Sequence, residues 1–128
     1  MGRRMDRAFG VLLLLGAAGH TVGTLRHLRG TDAFLWSLGS SLAAALLAVL
    51  NLLRSGRPGD RALAMVCAIG TACWGLVVLG FGVSIGNLLD PRVGMHLLAS
   101  AGLVLFSVRA IVERGGSPSR APASRPSA

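Results

Sequence analysis

The sequence has no lysine and no tyrosine, and only five of its 128 residues are acidic. Charged residues make up 14% of the chain, against about 25% in an average soluble domain. Most of a surface this poor in charge is unsuited to contact with water. The composition therefore argues against a soluble globular protein.

Cysteines and catalytic motifs are also scarce. Cys67 and Cys73 are six residues apart in one apolar run, which places them about 120° apart around a helix, too far apart for an intrahelical disulfide. The chain has no CxxC or zinc-type spacing, and no HExxH, P-loop or GxSxG motif. These absences favour a non-enzymatic protein with no metal site.

Four long apolar runs are present, at residues 8–25, 33–53, 62–88 and 93–112. Each is near the roughly 20 residues that cross a bilayer as a helix, and none contains Asp, Glu or Lys. Because lipid offers no hydrogen bonds to the backbone, such runs are expected to be helical. With short connections, residues 1–114 are predicted to form an all-α, integral membrane four-helix bundle, arranged up-down-up-down.

The two ends of the chain raise separate questions. Residues 115–128 are Gly, Ser, Pro, Ala and Arg, so we expect a disordered cytoplasmic tail. At the start, Arg3 and Arg4 precede a short apolar stretch and the small residues 17–19. Residues 1–19 could therefore be a cleaved signal peptide instead of part of a first span, and the sequence leaves both readings open.

Arginine counts predict the orientation. Three arginines lie in the N-terminal segment, three in the second loop and four at the C-terminal end, ten in all, against three on the opposite side. The positive-inside rule then places both termini in the cytoplasm. Arginine without lysine, together with abundant Ala and Gly, is typical of a GC-rich bacterial genome, so we expect a bacterial inner membrane protein. The arginines flank apolar runs and form no single patch, which favours lipid over nucleic acid as the partner.

A shift of 63 positions aligns residues 19–25 with residues 82–88, and it also pairs Ser37 with Ser100 and Arg29 with Arg92. Internal repeats of this kind occur in transport proteins. The alignment predicts a tandem duplication of a helical hairpin, although Gly, Ala, Leu and Ser often match by chance.

The polar residues of the spans are concentrated in their outer halves. With the N-terminus inside, His20 and His96 come within about 6–7.5 Å of the outer ends of the first and fourth spans. Ionisable residues inside a membrane indicate candidate functional sites, since their exposure to lipid is costly. The predicted ligand- or cofactor-binding residues are therefore His20, Thr24, Ser37, His96 and Ser100.

Small residues recur along the spans at helical spacing, and such residues let membrane helices approach closely. Gly16 and Gly23 lie on the same helical stripe as His20, so His20 is expected to face the bundle. The predicted helix-packing residues are Gly16, Gly19, Gly23, Gly75, Gly82 and Gly86.

Three functions remain open. The first is a non-enzymatic accessory or self-associating bundle with an outward-facing polar pocket, whose partner would be another copy or a second membrane protein. The second is a redox protein that binds haem b through His20 and His96. The third is a small transporter or pore that uses the polar pocket as its vestibule.

Overall fold

The computed structural model describes residues 2–113, which form four α-helices. They are α1 (Gly2–His27), α2 (Ala33–Gly56), α3 (Arg61–Ser84) and α4 (Pro91–Val112). All four are long and apolar enough to cross a membrane, which confirms the predicted all-helical fold with four helices of that length and composition. The predicted tail, residues 115–128, lies outside the described residues.

The helices differ from the predicted runs mainly in where they begin and end. Helix α1 starts at Gly2 and α2 continues to Gly56, so Asp6 and Arg54 lie within helices although the hydropathy pattern placed both outside the spans. Helix α3 ends at Ser84, before the predicted residue 88, because Gly86 adopts a φ of +66° in the turn that follows.

Two helices begin with an aspartate cap. The Asp60 Oδ1 atom accepts a 2.9 Å hydrogen bond from the Leu63 amide at the start of α3. At the start of α4, Asp90 Oδ1 accepts a 2.9 Å hydrogen bond from the Arg92 amide, and Pro91 occupies the first helical turn. These caps satisfy backbone N–H groups that have no partner within the helix.

The core consists mainly of small side chains. One cluster of its fully buried members comes from α1, α2 and α4, and Trp74 of α3 packs against them. They are Leu13, Ala17, Ala44, Ala48, Ala99 and Leu103. Many large apolar side chains, among them Leu46 and Leu76, are instead exposed on the outside of the bundle. This distribution suits a bundle surrounded by lipid, where close packing of small residues holds the helices together.

Contacts between helices test the predicted duplication. Near the end of the bundle that holds Gly2, Asp6 of α1 pairs with Arg54 of α2, and at the other end Thr24 contacts Ser37. The 63-residue shift would place Ser100 opposite Asn87, the counterpart of Thr24. Ser100 instead lies beside Gly75, so the two hairpins do not share a register and their contacts do not support the duplication.

Candidate functional site

Three of the predicted site residues form one hydrogen-bonded chain between α1 and α2. The Ser37 Oγ atom lies 3.1 Å from His20 Nε2 and 2.6 Å from Thr24 Oγ1. The Thr24 hydroxyl also donates to the His20 carbonyl at 2.9 Å. The structure thus brings His20, Thr24 and Ser37 together, although the His20 side chain is exposed at the bundle edge.

The hydrogen bonds among His20, Ser37 and Thr24 have one consistent assignment of protons. The single Thr24 hydroxyl hydrogen is committed to the backbone carbonyl of His20, so Ser37 donates to Thr24. Ser37 then has no hydrogen left for His20 and accepts a hydrogen bond from its Nε2–H group. The arrangement therefore favours the Nε2-protonated tautomer of neutral His20, which leaves Nδ1 as an acceptor.

The other two predicted residues, His96 and Ser100, lie on α4 against different neighbours. The Cε1–Nε2 edge of His96 packs on Gly16 of α1, where an added Cβ atom would come within 2.9 Å of both ring atoms. The Trp74 ring meets the His96 ring edge-on, with 5.9 Å between centroids. Gly75 brings α3 close to Ser100. We call Trp74, His96 and Ser100 the His96 cluster.

The His96 cluster contains buried polar atoms without hydrogen-bond partners. Among the described residues these atoms are Trp74 Nε1, His96 Nδ1 and Ser100 Oγ. The His96 residue is only 8% exposed and Ser100 only 3%. A buried donor or acceptor without a partner costs about 1–3 kcal/mol, so three such atoms on neighbouring residues of α3 and α4 indicate a site that a further polar group would complete.

The two histidines contact different helices. His96 is level with Gly16, one helical turn deeper in the bundle than His20. The His96 ring contacts α1 and α3. His20 instead makes its hydrogen bond to Ser37 of α2.

This geometry does not fit a haem held between His20 and His96. A haem ligated by both rings needs one nitrogen of each to point at the same iron. The Nε2 atom of His20 is hydrogen-bonded to Ser37, and the Nε2 edge of His96 lies against the α1 backbone at Gly16. No space for a porphyrin separates the His96 ring from α1.

The predicted packing glycines divide into two groups. Gly16, Gly75 and Gly82 each lie against a side chain of another segment, contacting His96, Ser100 and Val93 respectively. Among the described residues, Gly19 and Gly23 have open space where a Cβ atom would lie, so neither makes a close helix contact there. Gly86 also has open space, and its positive φ shows that it serves the turn after α3.

Sequence reasoning missed a buried polar network at the other end of the bundle. Asn51 Nδ2 donates at 2.9 Å to both the Leu47 carbonyl and Thr71 Oγ1. Its Oδ1 accepts at 3.3 Å from Arg54 Nε and from Ser107 Oγ. The Asn51 amide therefore uses both donors and both acceptor positions, and it ties α2 to α3 and α4.

The same network includes a buried ion pair. Arg54 donates from Nη2 to the Asp6 carboxylate, and the two side chains are only 4% and 8% exposed. Asp6 adds α1 to the helices that the network connects. The spacing of Asn51 and Arg54, three residues apart on one helical face, was the available signal. It was missed because hydropathy placed Arg54 in a loop.

The Asn51 network and the His96 cluster differ in whether their polar atoms have hydrogen-bond partners. Every polar group of the Asn51 amide is satisfied within the chain, as expected of a device that holds helices together. The His96 cluster has unpartnered atoms instead. This contrast makes the His96 cluster, with the neighbouring His20–Ser37–Thr24 chain, the candidate functional site.

Comparisons with known proteins assign no family to this chain. No protein-family model, no curated protein and no solved structure matches it. The site is therefore interpreted from its own geometry and chemistry.

Proposed function

We propose that this chain is a non-enzymatic membrane protein that binds a small lipid-soluble molecule through a carbonyl or hydroxyl oxygen at the His96 cluster. One observation carries the proposal: Trp74 Nε1, His96 Nδ1 and Ser100 Oγ are each buried and lack hydrogen-bond partners among the described residues, and the Trp74 ring packs against the His96 ring. The ligand would supply the hydrogen bonds that the protein does not.

The chemistry of the three groups indicates what they would bind. The Trp74 indole only donates a hydrogen bond, the Ser100 hydroxyl donates and accepts, and His96 Nδ1 does either according to its tautomer. An oxygen that accepts from Trp74 and Ser100 satisfies both. A ligand oxygen of this kind, attached to an apolar body, also suits a site surrounded by lipid.

We further propose that both termini are cytoplasmic, that the helices are arranged up-down-up-down, and that the host membrane is a bacterial inner membrane. The arginine counts support this orientation. The ion pair between Asp6 and Arg54 supports the up-down arrangement of α1 and α2, because it joins the start of α1 to the end of α2. In this orientation the His96 cluster lies in the outer half of the bundle, as the predicted polar pocket does. Self-association through Gly19 and Gly23 stays a prediction.

Mass spectrometry of the purified chain tests the ligand proposal. Organic extracts of the wild-type protein and of Trp74→Phe, Ser100→Ala and His27→Gln variants would be compared. We expect one small molecule to copurify with wild type and with His27→Gln, whose histidine is exposed and outside the cluster. Its occupancy should fall about tenfold in the other two variants, since each removes one hydrogen bond.

The thermal stability of Ser100→Ala, measured with and without ligand, could contradict the proposal. In protein stripped of lipid, Ser100→Ala should raise Tm because it removes a buried hydroxyl that lacks a partner. In the presence of the ligand, the same variant should lower Tm relative to wild type. If Ser100→Ala changes Tm equally in both samples and no molecule copurifies, the cluster holds only water and the proposal fails.

A further inference from the structure

A second polar site lies at the opposite end of the bundle from the His96 cluster. It is a groove of about 180 Å³ between the start of α1 and the ends of α2 and α4. A cavity needs about 10–15 Å³ to hold one water molecule, so the groove has room for a small anion. Its charged and hydroxyl-bearing lining residues are Arg3, Asp6, Arg54, Ser55, Arg109 and Glu113.

The groove is positive and rich in hydrogen-bond donors. Its lining has three guanidinium groups and two carboxylates, a net charge of +1. Both carboxylates are already engaged, since Asp6 accepts from Arg54 and Glu113 Oε1 accepts at 3.2 Å from Arg109. Each guanidinium has five N–H donors and no acceptor, so these pairs leave donors for another partner.

The position of Arg54 makes this more than a set of surface arginines. Its side chain is 4% exposed and yet lines the groove, held in place by Asn51 and Asp6. A guanidinium fixed in this way loses little conformational entropy when it binds an anion. The Phe106 ring and Ala110 add an apolar wall beside the polar groups.

We propose that this groove binds a phosphate group, supplied by the headgroup of an anionic phospholipid. Phosphate oxygens are strong acceptors that guanidinium groups bind by charge-assisted hydrogen bonds. The groove lies at a helix end, where a spanning helix meets the headgroup layer, and its apolar wall suits the glycerol and upper acyl part of a lipid. Free inorganic phosphate shares this chemistry and is the alternative source. The inference does not depend on the ligand proposed for the His96 cluster.

Two variants and a matched control test the groove. Arg3→Gln and Arg109→Gln each remove one lining charge, while Arg7→Gln removes an exposed arginine of the same helix end that does not line the groove. In bilayer nanodiscs that contain equal phosphatidylglycerol and phosphatidylcholine, lipid retained by the full chain would be counted by native mass spectrometry. We expect wild type and Arg7→Gln to retain phosphatidylglycerol selectively, and each groove variant to retain it about tenfold more weakly.

A second arm identifies the source of the phosphate. The Tm of detergent-purified protein would be measured in inorganic phosphate and in chloride at equal ionic strength, because a ligand of the folded state raises Tm. A rise that Arg3→Gln and Arg109→Gln abolish, without selective lipid retention, supports the phosphate site with a free anion as its ligand. Equal losses in Arg7→Gln and the groove variants would mean diffuse attraction between arginines and lipid, and would overturn the proposal. So would the absence of both effects in wild type.

Discussion

At the scale of single residues, Asn51 is a buried side chain that makes four hydrogen bonds, using both donors and both acceptor positions of its amide. Its amide donates to Thr71 and accepts from Ser107 and Arg54, so one side chain connects three helices. Unlike a buried apolar contact, this arrangement fails as a unit when one partner is lost.

We expect Asn51→Leu to destabilise the fold by about 1–3 kcal/mol, because Thr71, Ser107 and Arg54 would each lose a buried partner. Unfolding in mixed micelles of increasing denaturing detergent measures the change. Asn87→Ala, at an exposed asparagine in the loop before α4, is the control and should have a much smaller effect. Equal effects in the two variants would show that the network contributes little.

The ion pair of Asp6 and Arg54 gives a second prediction about single residues. Both side chains are buried, so Asp6→Leu or Arg54→Met alone leaves one charge without its partner and should cost about 3–5 kcal/mol. The double variant should recover most of this loss, since it leaves no unpaired charge. The same unfolding assay gives the coupling free energy by a double-mutant cycle. If the double variant loses as much unfolding free energy as the two single variants together, the two side chains do not act as a buried pair.

At the scale of helices, the close approach of α1 and α4 depends on Gly16. Gly16→Ala would place a Cβ atom 2.9 Å from the Cε1 and Nε2 atoms of His96, and the ring is confined on its other side by Trp74. We expect a loss of about 1–3 kcal/mol from overpacking. Its unfolding curve in mixed micelles measures this loss.

Gly19→Ala is the matched control for Gly16→Ala. Gly19 lies in the same helix but has open space around the Cβ position, so alanine should be neutral or stabilising by up to about 1 kcal/mol through helix propensity. If Gly19→Ala destabilises the fold and Gly16→Ala does not, α1 is rotated about its axis relative to α4.

The start of α4 should respond to acid. The Arg92 side chain donates to both Asp90 oxygens and lowers the pKa of this carboxyl from 3.8 to about 2. Because the pKa is lower in the folded chain, Asp90 stabilises the folded state above its ordinary pKa, and this contribution is lost as the pH falls towards 2. The amide chemical shift of Arg92, followed by NMR, should titrate in that range.

Asp90→Asn is expected to remove this titration of the Arg92 amide, whereas Asp60→Asn, at the cap of α3, should leave it unchanged. A titration that persists in Asp90→Asn would assign the effect to another acidic group.

At the scale of the whole molecule, orientation decides which side of the membrane each site faces. A membrane-impermeant maleimide added from outside should label Thr31→Cys and miss Gly56→Cys, because arginines favour the cytoplasmic side at the second loop. The native thiols, buried Cys67 and exposed Cys73, would first be replaced by alanine. Outside labelling at Gly56→Cys would reverse the orientation, and would place the His96 cluster in the inner half.

Much of the architecture could be predicted from the sequence. Apolar runs of about twenty residues are sufficient to predict helices, because a backbone in lipid must form its own hydrogen bonds. Pro91 begins α4, a position that proline favours because its fixed φ suits a first helical turn. Helix ends were less predictable, since Asp6 and Arg54 are compatible with burial in the bundle only as partners, and their ion pair joins residues 48 positions apart.

The polar residues of the candidate site could be predicted from the sequence, but not which of them contact one another. The sequence by itself determined four apolar helices, a basic end and a set of polar residues within the spans, because these depend on local hydrophobicity and charge. Only the tertiary structure decided that His20 bonds to Ser37, that His96 packs on Gly16 and beside Trp74, and that Asn51 is satisfied while Ser100 is not. Those outcomes depend on helix rotation and register, which many weak contacts between distant residues set together.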